Sequence, residues 1–107
     1  MTFRPKLVRD RIPEIIRKNG TPCEFVVMDD AEYRKCLCDK MREELEEFSL
    51  DPSVEEAADM YEVFLAMLEE WGLSLADVIQ EADWKRNERG GFGEKILLKK
   101  IGNECNL

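Results

Sequence analysis

Met41-Arg42-Glu43-Glu44-Leu45-Glu46-Glu47-Phe48-Ser49-Leu50-Asp51-Pro52-Ser53-Val54-Glu55-Glu56-Ala57-Ala58-Asp59 joins two helical patterns across one proline turn. At helical spacing its acids become Glu44-x-x-Glu47 and Glu56-x-x-Asp59. Residues three apart share a helix face, so each pair aims two carboxylates in one direction. The short turn makes the two helices antiparallel neighbours, and their acidic faces can then converge. Four like charges at one point need a counter-ion, because each raises the cost of ionising the others. An all-oxygen donor set suits a hard divalent cation, Mg²⁺ or Mn²⁺. With 0 histidines the usual zinc and non-haem iron sites are disfavoured. The pattern therefore points to metal-assisted phosphate chemistry.

Glutamate-rich helices are more often solvated faces, and Ser53-Val54-Glu55-Glu56 also fits a capping box. Two features decide against a purely solvated face. Leu37, Met41, Glu44 and Phe48 follow one another at helical spacing, so Glu44 interrupts an apolar stripe. On the following helix Val54, Ala57, Ala58, Tyr61, Leu65 and Leu68 line one face. Met60, Val63 and Met67 continue the side that carries Glu56 and Asp59. A helix apolar nearly all round is expected to be buried, and a buried carboxylate needs a partner.

The remaining chain sets the context. Its 107 residues suit a single domain over 1–107, and 44% hydrophobic with 37% charged residues suits a helix-rich protein. A net charge of −8 argues against binding a nucleic acid polymer, whose phosphates need a basic surface. No apolar run follows the charges of Met1-Thr2-Phe3-Arg4-Pro5-Lys6, and no apolar stretch is long enough for a membrane span. A cytoplasmic protein away from membranes is expected. Cys23, Cys36, Cys38 and Cys105 form no C-x-x-C pair and read as reduced thiols.

The expected fold is mainly α, an antiparallel helical bundle with a minimal two-stranded sheet. A short helix is expected from about Arg11 to Lys18, with Asp10 as N-cap and Gly20 as stop. Long helices follow at about Ala31–Phe48 capped by Asp30, Val54–Trp71, and Leu75–Glu88 capped by Ser74. The segment around Phe25-Val26-Val27 and the tail Lys95–Ile101 read as two strands that pair. The apolar faces of the central helix exceed what its neighbours cover, so oligomerisation is expected.

Two basic patches bracket the acids. Lys6-Leu7-Val8-Arg9-Asp10-Arg11 ends at a helix start, where free N–H groups favour anions. Lys85-Arg86-Asn87-Glu88-Arg89-Gly90-Gly91-Phe92 joins cations to a glycine turn and an aromatic ring able to stack on a base. Solvated charge and helix-dipole complementation are the simpler explanations of both. A metal–phosphate site, however, needs further cations for the phosphate charge. Lys6, Arg9, Arg11, Lys85, Arg89 and Phe92 are thus the candidate substrate-binding residues. Without histidine there is no Ser-His or Cys-His pair, so water is the expected attacking group, with Glu43 or Glu47 accepting its proton.

The Glu44-x-x-Glu47 and Glu56-x-x-Asp59 pairs on adjacent helices resemble the signature of the all-α nucleoside triphosphate pyrophosphohydrolases. That superfamily holds the MazG proteins, the all-α dUTPases and phosphoribosyl-ATP pyrophosphohydrolase. Lys6-Leu7-Val8-Arg9-Asp10-Arg11-Ile12-Pro13 and Arg89-Gly90-Gly91-Phe92 resemble the ends of small MazG-like house-cleaning proteins. The resemblance implies that Glu44, Glu47, Glu56 and Asp59 are Mg²⁺ ligands. It also implies cleavage of the α–β phosphoanhydride of a nucleotide to a monophosphate and pyrophosphate, in a homodimer or homotetramer. Phosphoribosyl-ATP or another nucleotide-like diphosphate is the alternative substrate. A non-catalytic helical interaction module is the alternative of a different class.

Overall fold

The computed structural model describes residues 3–103, so Cys105 lies outside the described residues. Four helices follow in order: α1 Ile12–Lys18, α2 Asp30–Leu50, α3 Val54–Glu70 and α4 Leu75–Arg89. The expected mainly helical fold is present, and no end of a long helix lies more than two residues from its expected position. The chain divides into two compact units, one ending at Leu73 and the other beginning at Ser74.

Local chemistry sets the helix starts. Asp29 caps α2 by accepting the Glu32 N–H at 2.8 Å, one residue earlier than the expected Asp30. Ser53 caps α3 by accepting the Glu56 N–H at 3.2 Å. The start of α1 differs from expectation: Arg11, not Asp10, occupies its N-cap, and no side chain caps it. Pro13 in its first turn has no N–H to satisfy, which lessens the need for a cap. Gly72 follows α3 with φ of +67°, a conformation that β-carbon-bearing residues resist.

In the first unit α2 and α3 form an antiparallel hairpin, with Arg34 Nε paired to Glu70 Oε1 at 2.9 Å at its open end. The core is small: Leu37 at 1% exposure, with Val63 and Leu68, is its buried apolar part. The basic lead-in runs along this hairpin opposite to α2. Lys6 Nζ reaches Glu43 Oε1 at 3.9 Å, while Asp10 acts electrostatically on Tyr33. Burial first, then Glu70, Asp10 and Glu69, raise the Tyr33 phenol pKa above its ordinary value. Leu7 and Val8, between those two charged positions, are half-buried.

The expected sheet is absent among the described residues, where Ile101 makes only an isolated β-bridge. The Phe25 segment is fastened to α1 instead. Arg17 Nη2 donates to the Cys23 carbonyl at 2.9 Å, and its guanidinium lies 5.2 Å from the Phe25 ring centre. Val26, Val27, Ile96 and Leu97 remain exposed, so neither segment has the covered face that an isolated strand pair needs. Complete burial of α3 is likewise not found within one chain: Val54 is 88% exposed, and Ala57, Ala58 and Tyr61 are also exposed.

The second unit is built on α4, whose N-cap Ser74 accepts the Asp77 N–H at 3.3 Å. It ends at Gly90 with φ of +82°, and it has no buried residue.

Leu37→Ala should lower unfolding stability by about 2–5 kcal/mol, the usual range for emptying a buried leucine site. Ser53→Ala should cost about 1 kcal/mol through the lost cap. Urea unfolding followed by circular dichroism measures both. Wild-type stability for Leu37→Ala would contradict a hairpin core centred on that residue.

Candidate metal centre

The site begins with the Ser53 cap, which starts α3 three residues before Glu56 and places Asp59 nearly one turn further on. From α2, the stripe of Leu37, Met41, Glu44 and Phe48 turns toward α3, carrying Glu44 into the interface. Glu44 is only 6% exposed, comparable to the core residue Leu68 at 7%. Ligand oxygens of Glu44, Glu56 and Asp59 lie within 4.8 Å of one another. Three of the four expected ligands are thereby brought together.

Glu44 Oε2 and Glu56 Oε2 are buried without a hydrogen-bond partner. An unsatisfied buried acceptor costs about 1–3 kcal/mol, and more when charged. The capping box is accordingly half made: Ser53 accepts from Glu56, while Glu56 Oε2 has no return bond. Burial is the largest cause of a raised Glu56 pKa, followed by the charges of Glu47, Asp59, Glu44 and Glu55. Glu47 stands outside the three-carboxylate group and is exposed, yet among those charges it acts most strongly on Glu56. A divalent cation would satisfy the orphaned oxygens and relieve this repulsion, so the donor set fits Mg²⁺ or Mn²⁺.

Protein cations already border the carboxylates. Arg9 Nη2 donates to Asp59 Oδ1 at 2.8 Å. Lys40 Nζ lies 3.3 Å from Glu44 Oε1 and 3.4 Å from Glu43 Oε2. Glu43, a candidate proton acceptor, is held by both Lys40 and Lys6. Arg11 instead pairs with Glu14 at 3.4 Å, within the first turns of α1. In the second unit the Arg89 guanidinium lies 5.9 Å from the Trp84 ring centre, Lys85 is exposed, and Phe92 is 98% exposed.

Lys40 was not among the residues expected from sequence. Its signal was available, since it lies three and four residues before Glu43 and Glu44 and shares their helix face. Such pairs are common on exposed helices, and only the burial of Glu44 sets this one apart.

Burial first, and then the neighbouring carboxylates, oppose ionising Glu56, so its raised pKa has a defined effect on stability. The increment is fully present below the pKa of the unfolded chain and is lost as pH rises through the raised folded value. Glu56→Gln should therefore melt higher than wild type at pH 7 without metal, and the difference should shrink toward pH 4. Mg²⁺ or Mn²⁺ should raise the wild-type melting temperature by mass action and raise that of Glu56→Gln less. Thermal melts with and without a chelator measure both effects. Equal melting temperatures at both pH values would contradict the like-charge account.

Comparison of the chain with protein-family models, with curated proteins and with solved structures finds no match.

Proposed function

We propose that the protein is a Mg²⁺-dependent nucleotide pyrophosphohydrolase. It would cleave the α–β phosphoanhydride of a canonical or damaged nucleoside triphosphate, releasing a monophosphate and pyrophosphate. One observation carries this: two buried carboxylate oxygens without partners, on Glu44 and Glu56, in one group with Asp59. The sequence resemblance to all-α pyrophosphohydrolases supports the same assignment. Glu44, Glu56 and Asp59 would hold the cation, with Glu47 as an outer fourth carboxylate. A bound Mg²⁺ would supply polarisation of a phosphoryl oxygen and a lowered pKa for the attacking water.

The chain's own groups then divide the remaining tasks. Among the described residues no cation pairs with Glu47, which is exposed beside Glu56, so it is the better proton acceptor; Glu43 is held by Lys6 and Lys40. Arg9, already beside Asp59, can exchange that carboxylate for a phosphate oxygen. Lys6 is the next cation along the same lead-in. Lys85, Arg89 and Phe92 belong to the second unit and take no part in the site assigned to the first. A second copy is assigned to the exposed face of α3 formed by Val54, Ala57, Ala58 and Tyr61, giving a homodimer or homotetramer.

The Lys40 and Arg9 pairs favour one other function, a non-catalytic interaction module whose acids are neutralised internally. Pyrophosphate release from a panel of nucleoside triphosphates with Mg²⁺ separates the two.

Turnover is expected in wild type. Glu44→Gln and Asp59→Asn should each lose roughly a hundredfold or more in kcat/KM with helicity retained. Arg9→Ala should lose roughly ten- to a hundredfold, matching one charge-assisted phosphate contact. Arg11→Ala should lose less, because Glu14 engages that side chain. Wild-type kinetics in Glu44→Gln and Asp59→Asn would refute the site. Light scattering that shows a fully active monomer at micromolar concentration would refute the assigned second copy.

A further inference from the structure

Lysine side chains usually keep their ammonium in water, yet that of Lys40 is only 16% exposed. Its two anionic partners are Glu43 and Glu44, one turn further along α2. An exposed pair at this spacing would contribute little. Here the Glu44 side chain is only 7% exposed, so solvent and salt screen the interaction weakly. Lys40 engages Oε1 of Glu44, and the other oxygen, Oε2, is the one left without a partner. One carboxylate of the acidic group thereby has one oxygen on a permanent protein cation and the other buried without a partner.

We infer that Lys40 is a positioning residue of the divalent-cation site, holding Glu44 by one oxygen and acting as a tethered counter-ion that limits cation affinity. This rests on the assignment of Glu44, Glu56 and Asp59 as the cation's ligands. The physics has two consequences of opposite sign. Without metal, the ammonium offsets the Glu44 charge and stabilises the hairpin. With metal, the same ammonium repels the incoming cation and lowers its affinity. A site tuned this way folds before it is loaded and exchanges its cation readily.

Mn²⁺ alone, with no nucleotide, provides the test through calorimetric titration and thermal melts. Lys40→Met should lower the metal-free melting temperature, bind Mn²⁺ roughly ten-fold more tightly and show a larger Mn²⁺-induced rise in melting temperature. Lys40→Arg keeps the charge and should restore wild-type affinity. Arg42→Met removes an exposed cation from the same helix, paired with Asp39, and should leave affinity unchanged. Unchanged or weaker Mn²⁺ binding in Lys40→Met would overturn the inference. If that variant is unfolded without metal, folding on addition of Mn²⁺ supports it. Lys40→Gln then provides the affinity measurement, with tighter binding supporting the inference and unchanged or weaker binding overturning it. Absence of Mn²⁺ binding in wild type would remove the metal centre and this role together. Intact Mn²⁺ binding without nucleotide turnover would sink only the proposed catalysis.

Discussion

A carboxylate set into the apolar seam of a small helical hairpin governs the rest of the first unit. Glu44 takes a place in the stripe where Leu37 supplies the core, and it is nearly as buried. Burying an ionised carboxylate costs several kcal/mol unless charge and hydrogen bonds return to it. A fully buried leucine or valine contributes about 1.5–3 kcal/mol. With Leu37, Val63 and Leu68 as the buried apolar residues described, that carboxylate cannot be left uncompensated. The neighbouring cations follow from this imbalance: Lys40 from the preceding turn of α2, and Arg9 beside Asp59 from a distant part of the chain.

The far end of the hairpin sets the register on which the acidic group depends. Arg34 pairs with Glu70 and lies 6.0 Å from the ring centre of Trp71. Ten residues along α2 from Arg34 lead to Glu44, about 15 Å of helix at the standard rise. Eleven residues back along α3 from Glu70 lead to Asp59, about 16 Å. Nearly equal lengths bring the two carboxylates close to level. Sliding one helix by a turn would separate them by about 5 Å and disperse the group. A contact remote from the chemistry thus helps to place it, while the short turn and the Ser53 cap fix the near end.

The basic lead-in links electrostatics to function. It carries no regular structure, yet Lys6, Arg9 and Asp10 each interact with charged or polar side chains on α2 or α3. Arg9 compensates Asp59 at 2.8 Å in the described state. Its pair is substantially exposed, which makes it exchangeable at small energetic cost. Lys40 is the opposite case, screened from solvent and tethered one turn from its partners. The two cations therefore suit different tasks, one able to turn to an anionic ligand and one remaining with the protein.

The sequence determined what acts over one or two helical turns. Ser53 and Ser74 cap the helices expected of them, Gly72 and Gly90 follow helix ends with positive φ, and Glu44 lies buried as its apolar stripe implied. Those signals are local because a hydrogen bond to the third residue, or a face repeated every three or four, needs no distant partner. Tertiary structure decided the rest. It drew Glu44, Glu56 and Asp59 into one group, left Glu47 outside it, and set Arg9 on Asp59 across 50 positions of chain. It also turned a routine pair at Lys40 into a buried one and bound the Phe25 segment to Arg17 instead of a second strand. Each of these depends on which surfaces lose water when α2, α3 and the lead-in pack, and desolvation sets the strength of a charge–charge contact that spacing alone leaves open.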